Sequence, residues 1–297
     1  IDKHYTCIIL YNQVQLQKIT KGGNMVKTYW ITDMHLDSCS SDEFKKFLKQ
    51  IEPGSNLIIS GDISNSYRLE SDLNSIGNGL VDRCQIYFVL GNHDFYGSYI
   101  NEVRRVVAQF IPWQGNLHYL SDYKSPIYCN IGKENWAIVG IDGWADARAG
   151  HFDMSPDLIR DYKMIHDFTQ KNTDTRRRFL NKLGEEEAFK LEQKLNIGVL
   201  GDNVLIVTHV PPYPEAHIYE GQPASNAYLP HFVCVATGEV ISDYALKHKD
   251  KNIHIICGHT HQECDVKIMD NITVHVGYAN YSELLCVDLD KVLDGKN

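Results

Sequence analysis

No apolar run in the chain approaches the roughly 18 residues that a membrane-spanning helix needs, and we expect no membrane partner. A basic surplus is missing as well. Against 29 Lys and Arg stand 38 Asp and Glu, a formal net charge of −9, which argues against a protein that lives along nucleic acid or an anionic surface. There is no CxxC pair, and the apolar patch Cys7-Ile8-Ile9-Leu10-Tyr11 is too short for the core of a secretory signal. Internal repeats and low-complexity tracts are absent. Eight cysteines are present (Cys7, Cys39, Cys84, Cys129, Cys234, Cys257, Cys264, Cys286), but Cys129, Cys257 and Cys286 lie in or beside apolar runs. A chain this long needs no disulfide staples, so they read as reduced thiols of a cytoplasmic protein. What remains is ordinary globular composition, 43% hydrophobic and 23% charged over 297 residues, with enough chain to bury a real core.

Recognisable patterning begins just after Met25, and Lys21-Gly22-Gly23-Asn24 stands before it. Lys-Gly-Gly back-translates to a purine-rich stretch of the kind a bacterial ribosome binds shortly before a Met codon. Residues 1–24 are therefore either translated upstream sequence or an extension lying on the surface. The intact mass of the protein from its native host separates the two. Residues 25–297 read as one α/β domain with an insertion at about 144–198.

Short β-branched runs alternate with helical periodicity. Strands are expected at 28–32, 56–60, 85–90, 136–141, 204–208 and 253–257. Ser40 with Glu43 forms a capping box before Phe44 and Leu48. Ile100, Val103, Val107 and Phe110 recur at helical spacing until Pro112 stops them. Strand–helix–strand order predicts parallel neighbours in an α/β sheet. After Cys257 an antiparallel meander is expected at 266–269, 272–276 and 284–289, with a turn at Asp270-Asn271. The polar 144–198 stretch breaks the alternation and contains a helical run at 175–195, with Gly184 as its expected break.

The residues that follow the strands carry the chemistry. Asp33-Met34-His35 follows the first, Gly61-Asp62 the second and Gly91-Asn92-His93-Asp94 the third, while His209 and Gly258-His259-Thr260-His261 end two later strands. Each cluster alone is weak, since Gly-Asp pairs usually mark turns and a lone histidine is usually a satisfied polar residue. All of them fall at C-terminal strand ends, where open α/β sheets place their ligands. Asp33, His35, Asp62, Asn92, His209, His259 and His261 offer imidazole, carboxylate and one amide, with no thiolate. That donor set suits divalent Mn, Fe, Zn, Co or Ni, with Mn favoured, and excludes a thiolate-bound structural zinc. Seven side chains exceed what one ion needs and match two ions sharing a carboxylate; such pairs, about 3.5–4 Å apart, activate water and clamp phosphate.

Together these motifs resemble the signature of the calcineurin-like metallophosphoesterases, and they span about three-quarters of the chain, Asp33 to His261. The resemblance implies a four-layer α/β/β/α sandwich with two central mixed β-sheets and a helical insertion. It also implies that Asp33, His35 and His261 hold one metal and Asn92, His209 and His259 the other, with Asp62 bridging. His93 would then stand unligated beside the phosphate, and Asp94 would orient it. Two branches do not fit. Asn65 stands where the purple acid phosphatases carry tyrosine, and Gly61-Asp62-Ile63-Ser64-Asn65 and Asp94 depart from the protein Ser/Thr phosphatase pattern. What remains resembles the bacterial and phage phosphodiesterase-like branch, which includes the class III cyclic-nucleotide phosphodiesterases.

The resemblance thus implies in-line attack on a phosphodiester or phosphomonoester by a metal-bridging hydroxide, with His93 stabilising the transition state or protonating the leaving oxygen. The substrate would be a small phosphorylated molecule. Trp144, Arg148 and Tyr213, with Tyr219 and His231, are candidates to line its pocket; the alternative is that Trp144 packs its loop and Arg148 pairs with Asp142 or Asp146. A nuclease on the same centre is the rival enzyme, disfavoured because only Arg176-Arg177-Arg178 approaches a basic stripe. A non-catalytic scaffold is poorer still, because every ligand position is filled.

Overall fold

The computed structural model describes residues 26–155, 159–199, 201–281 and 283–295, so the two readings of residues 1–24 concern residues outside it. Alternation along the strands decides the layers. In β1 (Thr28–Ile31), β2 (Ser55–Ser60) and β3 (Cys84–Val89) successive side chains point to opposite faces, and both faces are apolar. Tyr29, Ile31, Leu57, Ile59, Ile86 and Phe88 pack outward against helices α1 (Ser41–Gln50), α2 (Leu69–Gly79) and α3 (Ile100–Phe110) through Phe47, Leu73, Ile76, Val103 and Val107. Trp30, Ile58, Tyr87 and Val89 face inward and meet Trp136, Ile138, Leu205, Val207 and Ile256 of a second sheet.

The first sheet is completed by β4 (Leu117–Tyr119) and the second opens with β5 (Ile127–Ile131), β6 (Glu134–Gly140) and β7 (Asn203–Val207). Helix α4 (Asp161–Met164) and the long α5 (Thr173–Asn196) lie between β6 and β7 in the chain. A small hairpin, β8 (Ile218–Tyr219) with β9 (Gln222–Pro223), precedes α6 (Leu229–Phe232) and α7 (Val235–Lys247). The chain then runs through β10 (Asn252–Cys257), β11 (Cys264–Met269), β12 (Ile272–Val276), β13 (Val287–Asp288) and α8 (Leu289–Leu293). Strand order is β13-β1-β2-β3-β4 in one sheet and β11-β12-β10-β7-β6-β5 in the other. Parallel pairs form the centre of each, and β13, β11 and β5 add antiparallel edges. The outer face of the second sheet buries Ala137, Val139, Val204, Ile206 and Ile255 against Leu191 and Leu195 of α5 and Ile241 of α7. Two sheets face to face with helices outside both make the expected four-layer α/β/β/α sandwich.

The expected capping is present, with Ser40 Oγ accepting from the Glu43 amide at 3.2 Å. Two expectations need correction. The 284–289 run is no third strand of a meander: only Val287–Asp288 is extended, and it pairs with β1 of the other sheet. Leu289 and Val292 then turn helical and fill the layer between the sheets. Gly184 does not break α5. A Cβ there would collide with Asp146, so the glycine lets the helix approach the loop after β6 while staying helical. All seven described cysteines are free.

Several histidines are buried in this fabric, and His217 tests the cost. Its ring lies 4.8 Å from Phe232, its Nδ1 has no hydrogen-bond partner among the described residues, and burial pushes its pKa down to about 4. Between about pH 6.5 and pH 4 the unfolded chain therefore binds a proton at His217 that the folded chain refuses. The stability present above pH 6.5 is lost through that window as pH falls. His217→Phe should escape this loss. Its unfolding free energy relative to wild type should rise as pH falls from 6.5 to 4, by up to about 1.4 kcal/mol per pH unit, in paired urea melts. A pH-independent difference would refute the assignment.

Candidate metal centre

The loops at the C-terminal ends of β1, β2, β3, β7 and β10 meet along one edge of both sheets. Their backbone is unusual: Asp33 (φ 51°), His35 (42°), Asp62 (52°), His259 (69°) and His261 (58°) all occupy the left-handed region, which residues with a Cβ avoid. Cross-loop hydrogen bonds hold them there. The amides of Asp33 and His35 donate to the carbonyls of Gly61 and Asp62, Gly258 to His209, and His209 to Asp142. Such strain persists only where the surroundings over-determine it.

The side chains these loops carry converge. Donor atoms of Asp33, His35, Asp62 and His261 lie within 4.8 Å of one another. His261 Nε2 is 3.0 Å from Asp33 Oδ1 and 3.4 Å from His35 Nε2, which is itself 3.9 Å from Asp62 Oδ2. The other oxygen of Asp62 turns the opposite way, 3.3 Å from His209 Nε2, and that nitrogen is 3.0 Å from Asn92 Oδ1. Outside this ring, further bonds fix each donor. Thr32 donates its hydroxyl to Asp33 Oδ2 at 2.6 Å, and the His93 amide donates to Asp62 Oδ1 at 2.8 Å. His209 Nδ1 donates to the Ser60 carbonyl at 2.9 Å, which leaves Nε2 as the lone-pair side. His259 Nε2 likewise donates to the His231 carbonyl at 3.0 Å.

The electrostatics show how strongly these groups act on one another. Burial alone would raise the pKa of Asp33, yet the hydrogen bond from His261 and the charge of His209 hold it down at about 2. Burial would lower that of His209, but the Asp62 carboxylate holds it up at about 10. Nitrogen and oxygen lone pairs turned toward one another, out of water, are what divalent ions require, and no thiolate is among them. The backbone is shaped to admit them. A Cβ on Gly91 would strike Asp62 Oδ1, and one on Gly258 would strike Thr32 Oγ1 and Asp33 Oδ2. These residues fit a metal centre.

A family model described as calcineurin-like phosphoesterase matches residues 26–263, a span that contains every one of these donors. The chain belongs to that family. It is a metallophosphoesterase, a hydrolase of phosphate esters, and the family normally binds two divalent ions. Among solved structures it resembles a phosphopantetheinyl hydrolase from Mycobacterium tuberculosis, with a TM-score of 0.60 at 14% identity over 90% of this chain and 97% of that one. It also matches a dimetal phosphatase from Danio rerio (TM-score 0.43, 12% identity, 86% and 87% covered). A 5'-nucleotidase precursor from Thermus thermophilus matches too (0.39, 13%, 89% and 51%). At these identities the likeness is one of fold. No curated protein matches the chain in sequence.

In this phosphoesterase the expected ligands are all at the sheet edge, and His93 stands beside them, its ring 4.4 Å from that of His35 and stacked at 4.2 Å on Tyr96. Asp94 departs from expectation. Rather than orienting His93, its buried carboxylate accepts from the amides of Gly91 and Ser64, each at 2.8 Å, and so ties two motif loops together. Three of the expected pocket residues, Trp144, Arg148 and Tyr213, are engaged elsewhere. Trp144 is 3% exposed and packs between Phe95 and Phe168. Arg148 pairs with Asp146 at 3.4 Å and Glu185 at 2.5 Å, and the Tyr213 hydroxyl donates to the Gly238 carbonyl at 3.0 Å. His231 is buried too. Other residues reach the centre instead. Tyr281 stacks on His35 at 4.7 Å while 59% exposed, and Asp161 Oδ1 accepts from Asn92 Nδ2 at 2.9 Å and Tyr96 Oη at 2.7 Å. Tyr96 was within reach of sequence reasoning, three residues after His93 in the same tight turn; Asp161 and Tyr281 lie in no motif.

Gly91→Ala tests the cradle. The protein should keep its far-ultraviolet circular dichroism but bind Mn²⁺ about 10–100-fold more weakly by equilibrium dialysis, because Asp62 must move. Unchanged affinity would show that the centre tolerates the added carbon.

Proposed function

We propose that this phosphoesterase cleaves a small phosphodiester, using two divalent ions with Mn²⁺ favoured, in the cytoplasm. The observation that carries the reading is Asp62: its two oxygens face two separate sets of donors, His35 on one side and His209 on the other, as a carboxylate shared by two ions must. Asp33, His35 and His261 would hold one ion, and Asn92, His209 and His259 the other. Bound there, such a pair supplies Lewis acidity toward phosphoryl oxygens and lowers the pKa of water between the ions.

The chain's own groups supply the rest. His93 is held by its amide on Asp62 and by its ring between His35 and Tyr96. Among the described residues its ring nitrogens have no hydrogen-bond partner, so one is free to donate to a phosphoryl or leaving oxygen. Asp33 and Asp62 find their ion-pair partners in imidazoles rather than in a Lys or Arg clamp. The departures at Asn65 and Asp94, which leave the phosphodiesterase-like branch, support a diester over a monoester. Long nucleic acid is disfavoured because two arginines of the basic run are already engaged: the Arg176 guanidinium lies 4.2 Å from the Tyr162 ring, and Arg177 pairs with Asp153. Free cysteines support the location.

The test is the ratio of Mn²⁺-supported rates on bis-p-nitrophenyl phosphate and p-nitrophenyl phosphate. The diester should be faster, Asp62→Asn should abolish both, and His93→Asn should slow alkyl esters more than nitrophenyl esters, whose leaving group needs little protonation. A faster monoester would overturn the diester assignment, and equal His93→Asn losses would remove its role as an acid.

A further inference from the structure

The two halves of the centre are braced differently. Asp33, His35, Asp62 and His261 are held by the sheet-edge loops themselves: Thr32 and the His259 amide on Asp33, the His93 amide on Asp62. In the other half, His209 is fixed by the Ser60 carbonyl, but Asn92 and His259 depend on the 144–198 segment. An asparagine amide can turn either end inward. As a carboxylate Asp161 accepts, and it takes the Asn92 NH₂ and so turns Oδ1 toward His209. The neighbouring residue serves His259. The Tyr162 hydroxyl lies 2.6 Å from His231 Nδ1 and Ser155 Oγ 3.1 Å from its Nε2, and the His231 carbonyl accepts from His259 Nε2. Asp161 and Tyr162 are both buried. Their stretch is stitched to the loop after His93: Gly97 N donates to Met164 O at 2.8 Å, His166 N to Ser98 O at 3.0 Å, and Ile100 N to Asp167 Oδ2 at 2.7 Å.

We infer that Asp161 and Tyr162 are positioning residues that assemble one half of the metal centre, so that the affinity of that half is set by the 144–198 segment while the four-donor half is independent of it. The inference rests on the dinuclear reading above. Partners that orient a ligand from outside are worth about 10–100-fold in metal affinity. Asp161→Ala frees the Asn92 amide to rotate. Asp161→Asn keeps an oxygen that can accept both bonds. Tyr162→Phe removes only the hydroxyl that steadies His231.

The test is calorimetric titration of chelator-stripped, full-length protein with Mn²⁺, together with kcat and KM on bis-p-nitrophenyl phosphate. Wild type should bind two equivalents. Asp161→Ala should weaken one about 10–100-fold and leave the other within roughly threefold. Its kcat should fall while KM holds. Asp161→Asn should recover most of the loss, and Tyr162→Phe should weaken the same equivalent by a smaller factor. Wild-type affinity for both equivalents in Asp161→Ala, or equal weakening of both, would overturn the inference. If Asp161→Ala proves unfolded by near-ultraviolet circular dichroism, Tyr162→Phe decides in the same way. A wild type that binds no Mn²⁺ would sink the dinuclear reading and this inference with it; two wild-type equivalents with no selective loss would sink this inference alone.

Discussion

Asp62 lies almost wholly out of water with imidazoles on both sides of it, and the compensation of that one buried charge organises the sheet edge. Its carboxylate is kept ionised by the groups it draws in, and each of those must arrive from a different strand. His35 comes from β1, His93 from β3 and His209 from β7, so the two sheets have to end at the same level and face each other at a fixed separation. The layer between them provides this. Trp30, Ile58, Val89, Trp136, Leu205 and Ile256 interdigitate there, and Trp30 Nε1 also donates to Ser60 Oγ at 2.9 Å, beside the carbonyl that orients His209. Packing at the density of a protein interior leaves little freedom for the two strand sets to slide.

What could be seen in the sequence was whatever is encoded locally. Strand runs with polar residues directly after them announce both the sheets and the seven donors, because a C-terminal strand end is fixed by its own few residues. The helical run from Ile100 to Phe110 and the Ser40 cap are equally local. The contacts that complete the centre are not. Asn92 and Asp161 are 69 positions apart, as are Tyr162 and His231, and neither pair leaves a periodic trace.

Loops after strands misled for a related reason. An aromatic or arginine there serves a ligand or plugs its own loop, and residue type does not distinguish the two. Trp144 plugs, because Phe95 and Phe168 arrive from either side. Arg148 is consumed by carboxylates on its own loop and on α5. Gly184 and the 284–289 run show the same limit. Distant Asp146 decides the first, and the inter-sheet layer, by claiming Leu289 and Val292, decides the second.

The left-handed backbone at Asp33, His35, Asp62, His259 and His261 has a further consequence. Glycine adopts that conformation without penalty and is the usual substitution by which a chain relieves it. At these five positions glycine is forbidden, because each must carry a donor atom into the centre. Selection for foldability and selection for chemistry therefore oppose each other at the same residues, and the conflict cannot be settled where it arises. It is settled by neighbours: the cross-loop amides, and glycines at 91 and 258 that give up their own side chains to make room. Drift in those supporting positions should be as constrained as drift in the ligands they support.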